Sequence, residues 1–119
     1  MLAFKVNDLL ETLAKSGKPY REFLRTDAMS AGVYALPAGG EDKQTPHSED
    51  EIYYVVRGRA KFFSEATGAR RNREVGPGSV LFVGANADHR FHGITEDLDR
   101  KSTRLNSSHL KLSRMPSSA

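Results

Sequence analysis

Gln44-Thr-Pro-His-Ser-Glu-Asp-Glu-Ile-Tyr-Tyr-Val-Val-Arg-Gly58 is the stretch on which the reading of this 119-residue chain turns. Its second half, Glu51 to Val56, is rich in Ile, Tyr and Val and stops at Gly58, which predicts a strand. Alternate residues of a strand share one face, so positions 45, 47, 49, 51, 53 and 55 point the same way wherever the segment is extended. Glu51, Tyr53 and Val55 then face inward, with His47 and Thr45 on the same parity and Gln44 on the opposite one. An imidazole and a carboxylate four residues apart can converge on one ion, and such donors suit iron, manganese, nickel or zinc. The plainer alternatives are a solvated loop histidine at position 47 and a strand-end salt bridge for Glu51.

Working outward, Gly76-Pro-Gly78 is a sharp turn and Ser79 to Val83 a short apolar strand. Ala85-Asn-Ala87 turns the chain, and His89 to Ile94 reads as extended. Laid beside the first strand, this segment would carry His89 to the same ion. Phe91 shares the parity of His89 and is expected to line a cavity with Tyr53, while His92 has the opposite parity and is expected at the surface. Glu49 lies in a bend and is expected to be solvated. Near the start, Asn7 or Asp8 can cap a helix whose stripe is Leu9, Leu10, Leu13 and Ala14 and whose end is Ser16-Gly17, a lid on the body. Met29 to Leu36 and Ala60 to Ser64 are further strands, with a turn at Gly68 and a solvated hairpin end at Arg70-Arg-Asn-Arg73. Phe62-Phe63 is expected to split between core and a partner interface. Short strands separated by Gly and Pro turns predict an all-β sandwich or small barrel with one short N-terminal helix.

The length predicts one domain. The absence of cysteine excludes disulfides and cysteine-based zinc sites. No apolar run approaches the roughly 20 residues of a membrane-spanning helix, and Met1 to Val6 lacks a secretory apolar segment, so no membrane partner and a cytoplasmic location are expected. The formal charge is +3, yet five of the eighteen basic residues lie in 99–119 against one of the fifteen acidic ones, which leaves the body at −1. No patch interleaves aromatic and basic residues, so no nucleic-acid partner is expected.

Asp99-Arg-Lys-Ser-Thr-Arg-Leu-Asn-Ser-Ser-His109 reverse-translates into bases that resemble a common sequencing-library adapter, and Ser113-Arg-Met-Pro-Ser-Ser-Ala119 continues it in frame after an index-sized gap. Residues 99–119 are therefore expected to be adapter read-through and disordered, leaving a domain over 1–98 that lacks its closing strands. His109 is accordingly set aside as a ligand.

The two motifs resemble those of the cupins. The first cupin motif is Gly, five residues, His-x-His, three or four residues, Glu, six residues, Gly, and Gly39, His47, Glu51 and Gly58 match it in register. The second is Gly, five residues, Pro-x-Gly, two residues, His, three residues, Asn, and Gly78 and His89 match it. Thr45 stands where the first His is usual, and Gly84, Asn86 and Gly93 where Pro, Gly and Asn are usual. The resemblance covers about residues 30–94 and implies a cupin-type β-barrel, the double-stranded β-helix or jelly roll. It implies a divalent metal (Fe, Mn, Ni or Zn) on His47, Glu51 and His89, with Gln44, Thr45, Tyr53 and Phe91 expected to line the cavity; Gln44 could supply a weak oxygen ligand but its parity points it away, and Thr45 could hold a bound water. It further implies a small-molecule ligand or substrate and a homodimer. Two His and one Glu suit ferrous iron, which favours a dioxygenase-like enzyme over an isomerase or lyase. A non-catalytic binding or sensing module and a structural dimerising module are the alternatives.

Overall fold

The computed structural model of the chain describes residues 1–66 and 69–105. One helix, α1 (Val6–Ser16), precedes eight strands: β1 (Tyr20–Arg25), β2 (Met29–Leu36), β3 (Glu51–Arg57), β4 (Ala60–Ala66), β5 (Ala69–Val75), β6 (Val80–Val83), β7 (Asp88–His92) and β8 (Leu98–Leu105). The turn expected at Gly68 and the set-aside His109 lie outside the described residues.

The helix forms where the apolar stripe predicted it. Leu10 and Leu13 are buried against Val33, with Val6, Leu9 and Phe23 around them. Gly17 ends it in the left-handed region at φ 71°, where a side chain would be strained. The cap differs from expectation: Lys5 is the N-cap and gives no side-chain cap. Asp8 lies one turn in, where its charge favours the positive end of the helix dipole.

The strands make a larger sheet in the order β1-β2-β8-β3-β6 and a smaller one in the order β5-β4-β7. Every pair is antiparallel. Among the described residues no ladder joins the two sheets, so the barrel is a jelly roll of two facing layers. The core lies between them: Tyr34, Tyr53, Val55, Val83 and Leu98 from the larger sheet meet Phe62, Val75 and Phe91 from the smaller. On β3 the predicted alternation holds, with Glu51, Tyr53 and Val55 buried and Ile52 and Tyr54 exposed.

Three expectations are corrected. First, β7 does not lie beside β3. It pairs with β4 in the smaller sheet and faces β3 across the interior. The chain crosses between layers at residues 84–87, where Asn86 takes φ 65°. That positive φ is a physical reason for the glycine usual at this point of the motif, and Asn is the non-glycine residue that best tolerates it.

Second, Phe63 is not an open partner face. It is 4% exposed, beneath the guanidinium groups of Arg70 and Arg90 at 5.4 and 4.8 Å from its ring centre. The uncovered apolar face is instead on the outside of β3 and β6, where Ile52 pairs with Phe82 and Tyr54 with Val80, all four exposed.

Third, residues 99–105 are not disordered. Strand β8 fills the centre of the larger sheet, pairing with β2 from Leu98 to Leu105 and with β3 on its other side. A backbone ladder is indifferent to side-chain identity, and the alternation here buries Leu98, Arg100 and Ser102. Arg100 fits poorly: its Nε and Nη1 are buried without a hydrogen-bond partner. Residues 106–119 lie outside the described residues.

Gly58 is required where β3 leaves for β4. Its φ is 100°, and a Cβ there would overlap the Asp97 carbonyl.

Candidate metal centre

Three elements bring the expected ligands together. Glu51 opens β3 and points inward, 1% exposed. His47 lies four residues earlier in the loop between β2 and β3 and is half-buried. His89 sits on β7, 1% exposed, and reaches across the interior. The crossing loop is tied to the histidine loop by Asn86 N–H donating to the His47 carbonyl at 2.6 Å and Ala85 N–H donating to Asp50 Oδ1 at 2.9 Å. Ligand atoms of His47, Glu51 and His89 all lie within 4.8 Å of one another, the one such His/Asp/Glu group among the described residues.

The contacts turn one nitrogen of each ring toward Glu51. His89 Nδ1–H donates to the Ala87 carbonyl at 3.0 Å, which fixes the ring and turns Nε2 toward the site. The Tyr53 hydroxyl donates its proton to Gln44 Oε1 at 2.6 Å, so at 3.2 Å from His89 Nε2 it offers that nitrogen none. His47 Nε2 accepts from Arg104 Nη2 at 3.0 Å. Among the described residues Glu51 Oε1 is buried with no hydrogen-bond partner, 3.5 Å from His89 Nε2 and 3.9 Å from His47 Nε2. Its other oxygen accepts from the Ser102 hydroxyl and from Arg104 Nε at 3.2 Å.

Charges follow from these contacts. Burial pushes the Glu51 carboxyl up, but the His89 ring, the Ser102 hydroxyl and Arg104 outweigh it and hold it down at about 2. His47 is lowered by burial and by the charge of Arg104, so it is the more readily neutral imidazole. Burial acts to lower His89 too, but the facing Glu51 and the Ala87 carbonyl leave it raised. Two imidazole nitrogens and an orphaned carboxylate oxygen form a donor set that fits a divalent first-row metal.

The other expected residues divide. Tyr53 and Phe91 are buried beneath the site, packed edge to face at 5.2 Å. Thr45 is exposed, against its inward parity, and Gln44 turns inward, against its outward one. The reason is local: residues 37–50 form no strand, so alternation does not govern them. His92 pairs with Asn72 at 2.8 Å, away from the site, as its parity predicts. Asp42, Ser102, Arg104 and Tyr34 were not anticipated. Asp42 accepts from Gln44 N–H, Gln44 Nε2 and Phe91 N–H, and its spacing to Gln44 was a readable turn signal. Ser102 and Arg104 lie in the stretch set aside as adapter-derived, and Tyr34, which accepts from Arg104 Nη2 at 2.6 Å, had no signal of its own.

No family model matches the chain. A relative does: the uncharacterized protein SCO3923 of Streptomyces coelicolor is 44% identical over 98 residues, covering 82% of this chain and 90% of that protein. Among solved structures, an RmlC-like cupin from Methanocaldococcus jannaschii with a double-stranded β-helix fold superposes with a TM-score of 0.65 at 14% identity, over 79% of this chain and 84% of that one. The chain belongs to one family with the Streptomyces protein, and its fold is the double-stranded β-helix of the RmlC-like cupins. The fold also resembles that of the DMSP lyase DddQ from Ruegeria pomeroyi, with a TM-score of 0.63 and 21% identity over 78% of this chain, and the chain spans 50% of that lyase's length.

Proposed function

We propose that this cupin binds a divalent metal ion through His47, Glu51 and His89 and acts with it on a small molecule. The observation that carries the reading is the buried, unpartnered Glu51 Oε1 facing two imidazole nitrogens. Arg104 answers Glu51 Oε2 and His47 Nε2, and a divalent cation would answer the Oε1 that it leaves unpaired. A bound divalent ion would supply Lewis acidity and, as ferrous iron, the capacity to engage dioxygen. The chain's own residues hold the carboxylate ionised through Ser102 and Arg104, and orient His89 through the Ala87 carbonyl. Two His and one carboxylate favour a dioxygenase-like activity, with isomerase and lyase chemistry as the other enzymatic forms.

A second reading, a non-catalytic small-molecule-binding module, has its own support. An open cleft of about 670 Å³ runs between the edges of β5 and β6, lined by Phe62, Arg70, Arg71, Arg73, Leu81 and Phe82. None of the three metal-binding candidates lines it. Its volume lies within the few hundred to about 1,000 Å³ common for small-molecule sites.

The homodimer belongs to the same proposal. Among the described residues edge strand β6 is open on one side, and the exposed face of Ile52, Tyr54, Val80 and Phe82 adjoins it. An antiparallel edge meeting its own copy is self-complementary.

Elemental analysis of the purified protein and of H47A and H89A variants tests the metal reading. One equivalent of a first-row metal in the parent, lost in both variants, is expected. A folded, metal-free protein that takes up no added metal would overturn it. Oxygen consumption by the iron-loaded protein with candidate small molecules then separates enzyme from binding module.

A further inference from the structure

We propose that the side-chain oxygen of Gln44 is a fourth donor to the same centre, replacing the imidazole that the cupin motif carries at position 45. The inference rests on the metal reading above and adds a specific residue to it.

The orientation of the Gln44 amide is fixed by chemistry. The Asp42 carboxylate only accepts, so the amide nitrogen faces it, with Nε2 donating to Oδ2 at 2.9 Å. The amide oxygen is thereby turned to the site. Asp42 is itself held by Phe91 N–H at 3.0 Å and by Arg100 Nη2 at 3.6 Å. A buried carboxylate gripping a ligand's far side is the arrangement that orients metal ligands.

The oxygen then meets other acceptors. Oε1 lies 3.4 Å from His47 Nε2, whose lone pair is already directed at a donor from Arg104. His47 Nε2 in turn lies 3.9 Å from the unpartnered Glu51 Oε1. Three electron-rich atoms thus gather, and among the described residues the hydrogens directed at them come from Arg104 and Tyr53, with none on Glu51 Oε1. Tyr53 donates to one lone pair of Oε1 at 2.6 Å, and a carbonyl oxygen has a second. The loop geometry explains why the donor moved by one position: residues 37–50 are not a strand, Thr45 is exposed, and Gln44 occupies the inward place.

Gln44 is the single glutamine of the chain, which makes a direct test available. Protein carrying glutamine labelled with carbon-13 at Cδ is titrated with Zn²⁺, with isotope-edited infrared spectra of the carbonyl stretch and calorimetric Kd values. The same titrations are made on Q44A and H89A, with circular dichroism to confirm folding. The expected result is a downward shift of the labelled stretch on Zn²⁺ addition, absent in H89A, and a Kd weakened about tenfold in Q44A. Zn²⁺ binding that H89A abolishes, with the Gln44 stretch unmoved, overturns the Gln44 assignment and leaves the three-ligand centre standing. Failure of the parent to bind Zn²⁺, or binding that H89A does not weaken, overturns the centre itself.

Discussion

Removing Arg104 should tighten metal binding. Its guanidinium occupies the lone pair of His47 Nε2 at 3.0 Å and is anchored by Tyr34 Oη at 2.6 Å and Glu51 Oε2 at 3.2 Å. A metal that takes His47 Nε2 must break the first of these. A hydrogen bond from a charged donor is worth about 1.5–3 kcal/mol, which is roughly tenfold to a hundredfold in Kd. The cation also repels the incoming ion, by about 4 kcal/mol for unit charges 4 Å apart at an effective dielectric of 20. The Arg104 side chain is 21% exposed, so much of that repulsion is screened and the hydrogen-bond figure is the safer one. R104A is therefore expected to lower the Kd for Mn²⁺ or Zn²⁺ at least tenfold at pH 7.5, measured by isothermal titration calorimetry. R104K, which keeps the charge, should recover only part of the gain. Ser102 still donates to Glu51 Oε2 in R104A, so the carboxylate keeps a partner. An unchanged or weaker Kd in R104A, with binding still abolished in H89A, would refute the reasoning.

R100M should stabilise the fold by about 1–3 kcal/mol, because a buried guanidinium with two unpartnered nitrogens costs more than its ion pair returns. A thermal melt reads this, at about 4–8 °C per kcal/mol, and a lower melting temperature would mean that Asp42 and the flanking rings outweigh the burial cost. Acid stability should depend on Glu51: held at about 2 against an ordinary 4.5, it contributes about 3 kcal/mol that is fully present above pH 4.5 and lost as pH falls toward 2. Urea midpoints across that range should fall in the parent and much less in E51Q; parallel curves would contradict the assignment. F82E should convert a dimer to a monomer in light scattering after size exclusion, since Phe82 is 67% exposed at the open edge; a monomeric parent would remove the dimer.

The strand pattern made most of the site legible. Alternation placed Glu51 and Tyr53 correctly because β3 is a regular strand with one buried face. It misplaced Gln44 and Thr45 because parity has no meaning in the loop before it. His89 comes close to His47 and Glu51 but from the opposite layer, since a sequence does not say whether a strand follows its neighbour in one sheet or crosses to the other. The contribution of β8 was not legible, because Asp99 to Leu105 carries no apolar alternation, and its place is secured by backbone ladders and by polar side-chain bonds to Glu51 and Tyr34. The adapter origin of codons 99–119 is a separate proposal about the gene, tested by sequencing the source locus; an intact reading frame there encoding the same residues would end it.

The position of β8 has a consequence for how the chain folds. The strand between β2 and β3 is the last one described, about 50 residues after β3 and 70 after β2 along the chain. The larger sheet therefore cannot close until β8 enters the slot between β2 and β3. Pairing this far apart in sequence is the kind that slows folding, and until it forms the facing edges of β2 and β3 are open to other β-strands.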